Sequence, residues 1–190
     1  MKIDRGTIVE AALALLDEQG FDALSLRRLA ARLHVQAPAL YWHVRDKEEL
    51  LTLMVDALLA RDSKARLPEP GQHWTDWIID RGTRLRRILM ECRDSARLVI
   101  TARQERQTTE GFPVLQQALM AQGLDEGEAT RVIAVSQSYI LGWVHYEQHP
   151  PMRDFMASVM ELESSYHFGL RAMAEGLRME IAGRRAARGG

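Results

Sequence analysis

Only one cysteine, Cys92, occurs among the 190 residues, which excludes an internal disulfide and any zinc cluster built on thiolates. Net charge is also lacking: 25 Lys and Arg against 26 Asp and Glu leave −1. A chain so balanced is no polycation that coats nucleic acid indiscriminately, so any site for nucleic acid must be local. Long hydrophobic runs are missing too. No stretch reaches the roughly 18 uninterrupted apolar residues that a membrane span requires, and the opening MKIDRGTIVE carries no apolar leader core. The expectation is a cytoplasmic protein with no membrane partner. Nor does any nucleophile elbow, phosphate loop or metal-hydrolase spacing occur; an enzyme is the weaker class, with no catalytic residue and no cofactor assigned.

What is present is helical spacing, almost everywhere, in a chain whose 46% apolar content suffices for a sizeable core. Asp4 caps a first helix whose Ile8, Ala12, Leu15 and Leu16 share a face, with Gly20 as its stop. Ser25 caps a second, ALSLRRLAARL, with Leu26, Leu29, Ala30 and Leu33 on one stripe. The turn HVQ places His34 at a positive φ. In the following short helix, QAPALYWHV, Pro38 stands in the first turn and Leu40 stacks with Val44. Trp42 and His43 lie on the opposite edge.

Asp46 and Glu49 form an Asp version of the capping box for a helix running to about Asp62. RLPEPGQ (66–72) is the Pro/Gly-rich break of the first half. Helices follow from about His73 to Cys92, Asp94 to Thr101 and Thr109 to Gln122, the last stopping at Gly123. EGEATRVIAVSQSYILGWVHYEQ is a long helix ended by Pro150 and Pro151, and a final amphipathic one covers about Ser164 to Ile181, with a frayed basic tail. The division expected is a head over 1–48, a connecting helix over 49–66, a larger helical unit over 67–183 and a flexible tail over 184–190.

Two helices joined by a short turn, the second of them short, make a helix-turn-helix, whose second helix enters the DNA major groove. That gives Trp42 a reason to face outward. Arg27, Arg28, Arg32, Arg45 and Lys47 stand against Asp46 alone between Ser25 and Lys47, a local +4 that suits phosphate contact. The plainer readings are an aromatic pair, Tyr41 and Trp42, packed on the adjoining helix, and an Arg cluster that is merely solvated.

Residues 5 to 50 resemble the DNA-binding domain of the tetracycline-repressor family: ALALLDEQGFDALSLRRLAARLHV leads into APALYWHVRDKEEL, with the family's Leu-Tyr-x-His run followed soon by Lys. RDSARLVITAR (93–103) and ILGWVHYEQ (140–148) resemble stretches of its ligand-binding core. The resemblance implies an all-α homodimer with an N-terminal three-helix DNA-binding domain and a larger C-terminal ligand-binding and dimerisation domain. Its partners would be a palindromic double-stranded operator and a small-molecule inducer that releases it. Arg27, Pro38, Tyr41, Trp42, His43 and Lys47 match positions that touch operator DNA, and Ser25 and Arg28 at the head of the second helix join them. Gln36, Ala37 and Ala39 occupy recognition positions but differ from the pattern. Ala37 stands for a base-reading Gln and Ala39 for a Thr, so base readout leans on methyl contact with thymine and on Arg27 forking to guanine.

The ligand side departs further. Members of the family that hold magnesium-bound tetracycline use a histidine where this chain has Val99, a Thr where it has Ala102 and an Asn where it has Arg81. Only Arg103 of that stretch is kept. The expectation is a different, larger and more apolar ligand. Its site draws on Arg81, Leu85, Val99, Ala102, Arg103, Leu115, Ser138, Tyr139 and Trp143, with Ser136 and Gln137 as further polar anchors. Ser136 and Ser138 equally suit close helix packing beside Gly142. His145, Glu147 and His149 invite a metal reading, but Glu147 is off the histidines' face and no third ligand follows, so no metal is assigned. The long helix from Asp125 and the final helix carry more apolar surface than one small domain hides, which a four-helix bundle with a second chain would cover. A DNA-binding regulator without an inducer remains the alternative.

Overall fold

The computed structural model describes residues 4–61, 67–102 and 111–189, the last two of these by backbone alone. Among the described residues there are helices and no strand. α1 (Arg5–Gln19) starts at Asp4, whose carboxylate accepts the Thr7 N–H, and stops at Gly20, where φ is +81°. A single 3-10 turn, Phe21–Ala23, leads to α2 (Leu26–Arg32), capped by Ser25 through the Arg28 N–H. His34 takes φ 55° in the turn before α3 (Ala37–Tyr41). Its helical hydrogen bonds are too few to hold α3 alone; Leu40 and Val44, both 0% exposed, fix it to α1, α2 and α4.

α4 (Lys47–Ala60) begins on Asp46, which accepts the Glu49 N–H. The capping box is not closed in the expected way. Glu49 turns back past the cap residue to take the Arg45 N–H (2.8 Å) and the Arg45 side chain (3.0 Å). α4 ends at Ala60, and Asp62 lies outside the described residues.

α5 (Trp74–Met90), α6 (Ser95–Thr101) and α7 (Phe112–Met120) follow, with Thr109 outside the described residues. α8 (Glu126–Gln148) has a reciprocal capping box between Asp125 and Glu128. Pro150 and Pro151 end α8 as expected, but they also begin α9 (Pro150–Val159), because a residue lacking N–H is as well placed in a first turn as after a last one. α10 runs over Leu162–Gly189, so the expected frayed tail is helical instead. Arg185 anchors it, pairing with Glu128 and donating to the Gly123 carbonyl (2.6 Å), while Arg184 pairs with Glu180 one turn back (2.7 Å).

Buried apolar residues form two clusters. The first joins α1 to α4 with Leu85, Ile88 and Leu89 of α5, Ala96 and Val99 of α6, and Ile140 and Val144 of α8. The second, at the far end, holds Trp74, Trp77 and Ile78 of α5 with Leu119, Ala129, Val132, Ile133 and Ala174. Between the two, α5 offers Arg81 and Gly82 and α8 offers Ser136 and Gln137. Tyr166 and Leu170 of α10, both 0% exposed, fill the space beside Gly82 between the two clusters.

Candidate functional site

The turn and α3 present one outward edge. Trp42 is 88% exposed and Tyr41 53%, beside exposed Gln36 and Pro38 and partly covered Ala37, Ala39 and His43. The edge is rigid because its opposite side is core and because Arg5 Nε donates to the His43 carbonyl (2.9 Å), tying α1 to the end of α3. Ser25 spends its hydroxyl on capping α2. Arg27 is exposed and has no intramolecular partner among the described residues; Lys47 sits 5.4 Å from the Phe21 ring centre with its stem partly covered. The expected +4 is reduced. Arg32 forks onto Glu18 (2.6 and 2.7 Å) and Arg45 pairs with Glu49, so two of the five cations are matched by carboxylates; Arg28 donates to the neutral Gln19 amide (3.1 Å) and stays exposed, as Arg27 does. Salt bridges at this exposure are weak and can be exchanged for phosphate contacts.

A polar seam joins this head to the rest, and sequence reading missed it. The Phe21 N–H donates to Asp94 Oδ2 (2.8 Å), the Arg93 N–H to Asp17 (3.1 Å), and Arg97 forks onto Asp22 (2.7 and 3.0 Å) with its guanidinium 4.6 Å from the Phe21 ring centre. Asp94 reads as an N-cap for α6, yet its side chain caps nothing there and its backbone is left-handed, φ 54°. Gln148 at the end of α8 closes the seam, donating to the Leu89 and Cys92 carbonyls and to Ser95 Oγ while accepting the Ala96 N–H. Hydrogen bonds thus link the ends of α5 and α8 to the 3-10 turn alongside the apolar contacts of the first cluster.

The expected ligand residues divide. Leu85, Val99 and Ala102 are buried in the first cluster, Leu115 is half-buried on α7, and Arg103 lies outside the described residues. Arg81 of α5 donates to Gln137 Oε1 of α8 (3.2 Å). Ser138 is exposed on α8. Ser136 is buried and donates to the Ile133 carbonyl of its own helix (3.0 Å). Tyr139 and Trp143 face α10, not Arg81. The Tyr139 hydroxyl donates to the Tyr166 carbonyl (2.8 Å), and the Tyr139, Trp143 and Tyr166 rings lie 5.5 to 5.9 Å apart. Burial pushes the Tyr139 hydroxyl up to about 12.

Glu147, weighed as a metal ligand, is 4% exposed and receives Arg86 in a two-pronged pair (2.7 and 2.8 Å). Arg86 also reaches Glu163 and lies 4.8 Å from the Tyr166 ring centre, and these carboxylates hold its proton more firmly than usual. Among the described residues no three His, Cys, Asp or Glu side chains converge on a metal position, and no helix is long and apolar enough to cross a membrane.

Two family profiles match the chain: "Bacterial regulatory proteins, tetR family" over residues 8–54 and "Tetracyclin repressor-like, C-terminal domain" over 67–167. The class A tetracycline repressor from transposon 1721 of Escherichia coli is 34% identical over 147 residues, covering 77% of this chain and 68% of that protein. A TetR variant from Acinetobacter baumannii AYE, solved in complex with minocycline, superposes with a TM-score of 0.80 at 31% identity, covering 95% of this chain and 99% of that one. BioQ, solved with its double-stranded DNA operator, gives 0.70 at 30% identity over 93% and 98%.

Proposed function

The chain belongs to the tetR family of bacterial regulatory proteins, DNA-binding transcriptional regulators, and from that premise we propose that it is a homodimeric repressor released from a palindromic operator by a small molecule other than magnesium–tetracycline. The observation that carries the DNA side is Trp42, 88% exposed at the end of α3 while Leu40 and Val44 on the opposite side are fully buried. An aromatic so presented, in a protein working in the cytoplasm, is explained by an interface filled in the working state. On this reading Tyr41, Trp42 and His43, with Pro38 and Lys47, contact the duplex backbone and groove wall. Arg27, Gln36, Ala37 and Ala39 read bases, and Ser25 and Arg28 place the head of α2 on phosphates. BioQ's operator complex is the parallel.

Dimerisation is supported by unpartnered apolar stripes. On α8, Val135, Ser138, Gly142 and Tyr146 recur at helical spacing on an outward edge; on α10, Phe168, Ala172, Gly176 and Met179 do the same, with open space beside Gly142 and Gly176. Small residues between large ones permit helices from a second copy to approach closely, giving the four-helix bundle and the two-fold spacing of α3 that an inverted repeat demands. Against magnesium–tetracycline stand buried Val99 and Ala102 and the cation Arg81: none supplies a ligand atom to a hard cation. Release is a population shift in which ligand between α5 and α8 displaces the seam at Asp94 and Gln148 and swings α4 with the head. A ligand preferring the released form by about 3 kcal/mol weakens operator binding more than roughly a hundredfold.

Selection of sites from random duplex DNA tests the whole. Inverted repeats are expected, bound by a dimer whose log affinity falls with log salt at roughly 0.9 per phosphate neutralised. A protein that stays monomeric and indifferent to every duplex at low salt overturns it.

A further inference from the structure

Two helix-capping duties are exchanged across the seam between head and body. The 3-10 turn Phe21–Ala23 follows Gly20, which has no side chain to cap it, and the Phe21 N–H donates instead to Asp94 Oδ2 (2.8 Å) in the turn between α5 and α6. Asp94 directly precedes α6, yet its carboxylate makes no capping bond there. Gln148 at the end of α8 supplies that acceptor, taking the Ala96 N–H (3.3 Å). Unpaired donors at a helix start are ordinarily met by the residue just before it. Here each is met from another element.

The exchange strains the backbone. Asp94 is held at φ 54° and ψ 18°, a left-handed conformation that residues with a Cβ adopt uncommonly, and such strain persists where the surrounding structure fixes a functional position. Gly20, itself at φ +81°, leaves room for the approach: a Cβ there would stand 3.0 Å from Asp94 Oδ2 and 3.3 Å from the Arg93 guanidinium. Arg97 of α6 clamps the same turn, forking onto Asp22 and lying over the Phe21 ring (4.6 Å). A second line of attachment is α4, which packs on α5 and α6 through the first apolar cluster. A head resting along one helix can roll about it; a directional bond to another element of the head, the turn before α2, fixes that roll. α2 starts where this turn ends and packs against α3.

We propose that Asp94, a residue outside the DNA-reading helices, is a positioning residue for operator recognition: by capping the turn ahead of α2 it fixes the angle of the head, and so the distance between the two α3 helices of a dimer and the half-site separation they accept. This rests on the reading of the protein as a dimer on an inverted repeat and names the residue that holds its spacing selectivity. One base pair more between half-sites moves them about 3.4 Å along the duplex and about 35° around it. A head fixed through Asp94 does not follow that change; a head released at the turn does.

The test titrates full-length wild type, Asp94→Gly and Asp94→Asn against the operator found by site selection and against duplexes whose half-sites stand one base pair closer or one further apart, with Kd read by fluorescence anisotropy. Glycine removes the carboxylate and accepts the left-handed backbone; asparagine keeps an acceptor oxygen and tolerates that backbone, so the pair isolates the cap from the strain. Wild type and Asp94→Asn are expected to bind the altered spacings about thirtyfold or more weaker than the selected operator, and Asp94→Gly about fivefold weaker or less. A bond that served stability alone would shift Tm and affect every spacing alike. Should Asp94→Gly melt more than about 5 °C below wild type, Arg97→Gln, changed at an exposed side chain, replaces it with the same expected loosening. A wild type that selects no inverted repeat sinks the reading as a dimeric repressor, and this inference with it. A sharp wild-type spacing preference that survives the loss of the cap, or that asparagine relaxes as far as glycine does, sinks this inference alone.

Discussion

Truncating Trp42 separates its two possible roles by magnitude. At 88% exposure about an eighth of the side chain touches protein. For a residue able to bury up to about 250 Å², that eighth is about 30 Å², or about 0.8 kcal/mol at about 25 cal/mol per Å². In a chain of 190 residues such a loss lowers Tm by only about 3 °C. On DNA the same truncation acts twice in a symmetric pair. An aromatic anchor worth about 1 to 2 kcal/mol per copy makes the operator complex weaker by about 2 to 4 kcal/mol, roughly 30- to 700-fold in Kd. Fluorescence anisotropy with the selected operator and thermal melting of Trp42→Ala, with His43→Ala beside it, measure both numbers on the same preparations. A fall in Tm beyond about 10 °C, or an operator Kd unchanged within about threefold, would refute the assignment of this edge to DNA.

Glu147→Ala strands Arg86 with only the exposed Glu163 for company, and urea unfolding should show a loss of about 3 kcal/mol; a loss below about 1 kcal/mol would mean that the pair is dispensable. Gly169→Ala should destabilise because its Cβ overlaps the Tyr139 hydroxyl, by about 1 to 3 kcal/mol, and Tyr139→Phe in the same chain should recover part of it; no recovery would place the strain elsewhere. Acid should unfold the protein through carboxylates held below their ordinary range. Arg97 does this for Asp22, Arg32 for Glu18, the Arg45 N–H for Glu49 and Arg86 for Glu163. The unfolded chain binds more protons there, so stability is present above the ordinary carboxylate range and lost as pH falls through it. Tm should hold from pH 7 to about 5 and drop below about 4.5, and a Tm unchanged down to about pH 3 contradicts those pairings.

The head was legible in the sequence because its signals are local: Asp4 and Ser25 as caps, Gly20 as a stop, His34 at positive φ, Trp42 opposite Leu40 and Val44. What stayed hidden depends on distant partners. Arg32 and Arg45 counted as free cations until Glu18 and Glu49 came beside them. Asp94 read as the start of a helix although its carboxylate serves Phe21, 73 residues away, and Glu147 was weighed as a metal ligand although Arg86 lies 61 residues off. On α8, Ser136 and Ser138 are two positions apart and so cannot share a face: one is core and the other points outward. The reach of α10 beyond Ile181 rests on Arg185 meeting Glu128 across the fold, which composition alone, basic and glycine-rich, argues against.

The first apolar cluster passes without interruption from Ile8 and Leu40 into Leu89, Val99 and Val144. Grafting the reading head of this chain onto the body of a relative, a common way to rewire a genetic circuit, therefore cuts through shared hydrophobic contacts. Chimaeras joined near the 66–72 break should aggregate unless the faces of α5, α6 and α8 that line the cut are transplanted with the head.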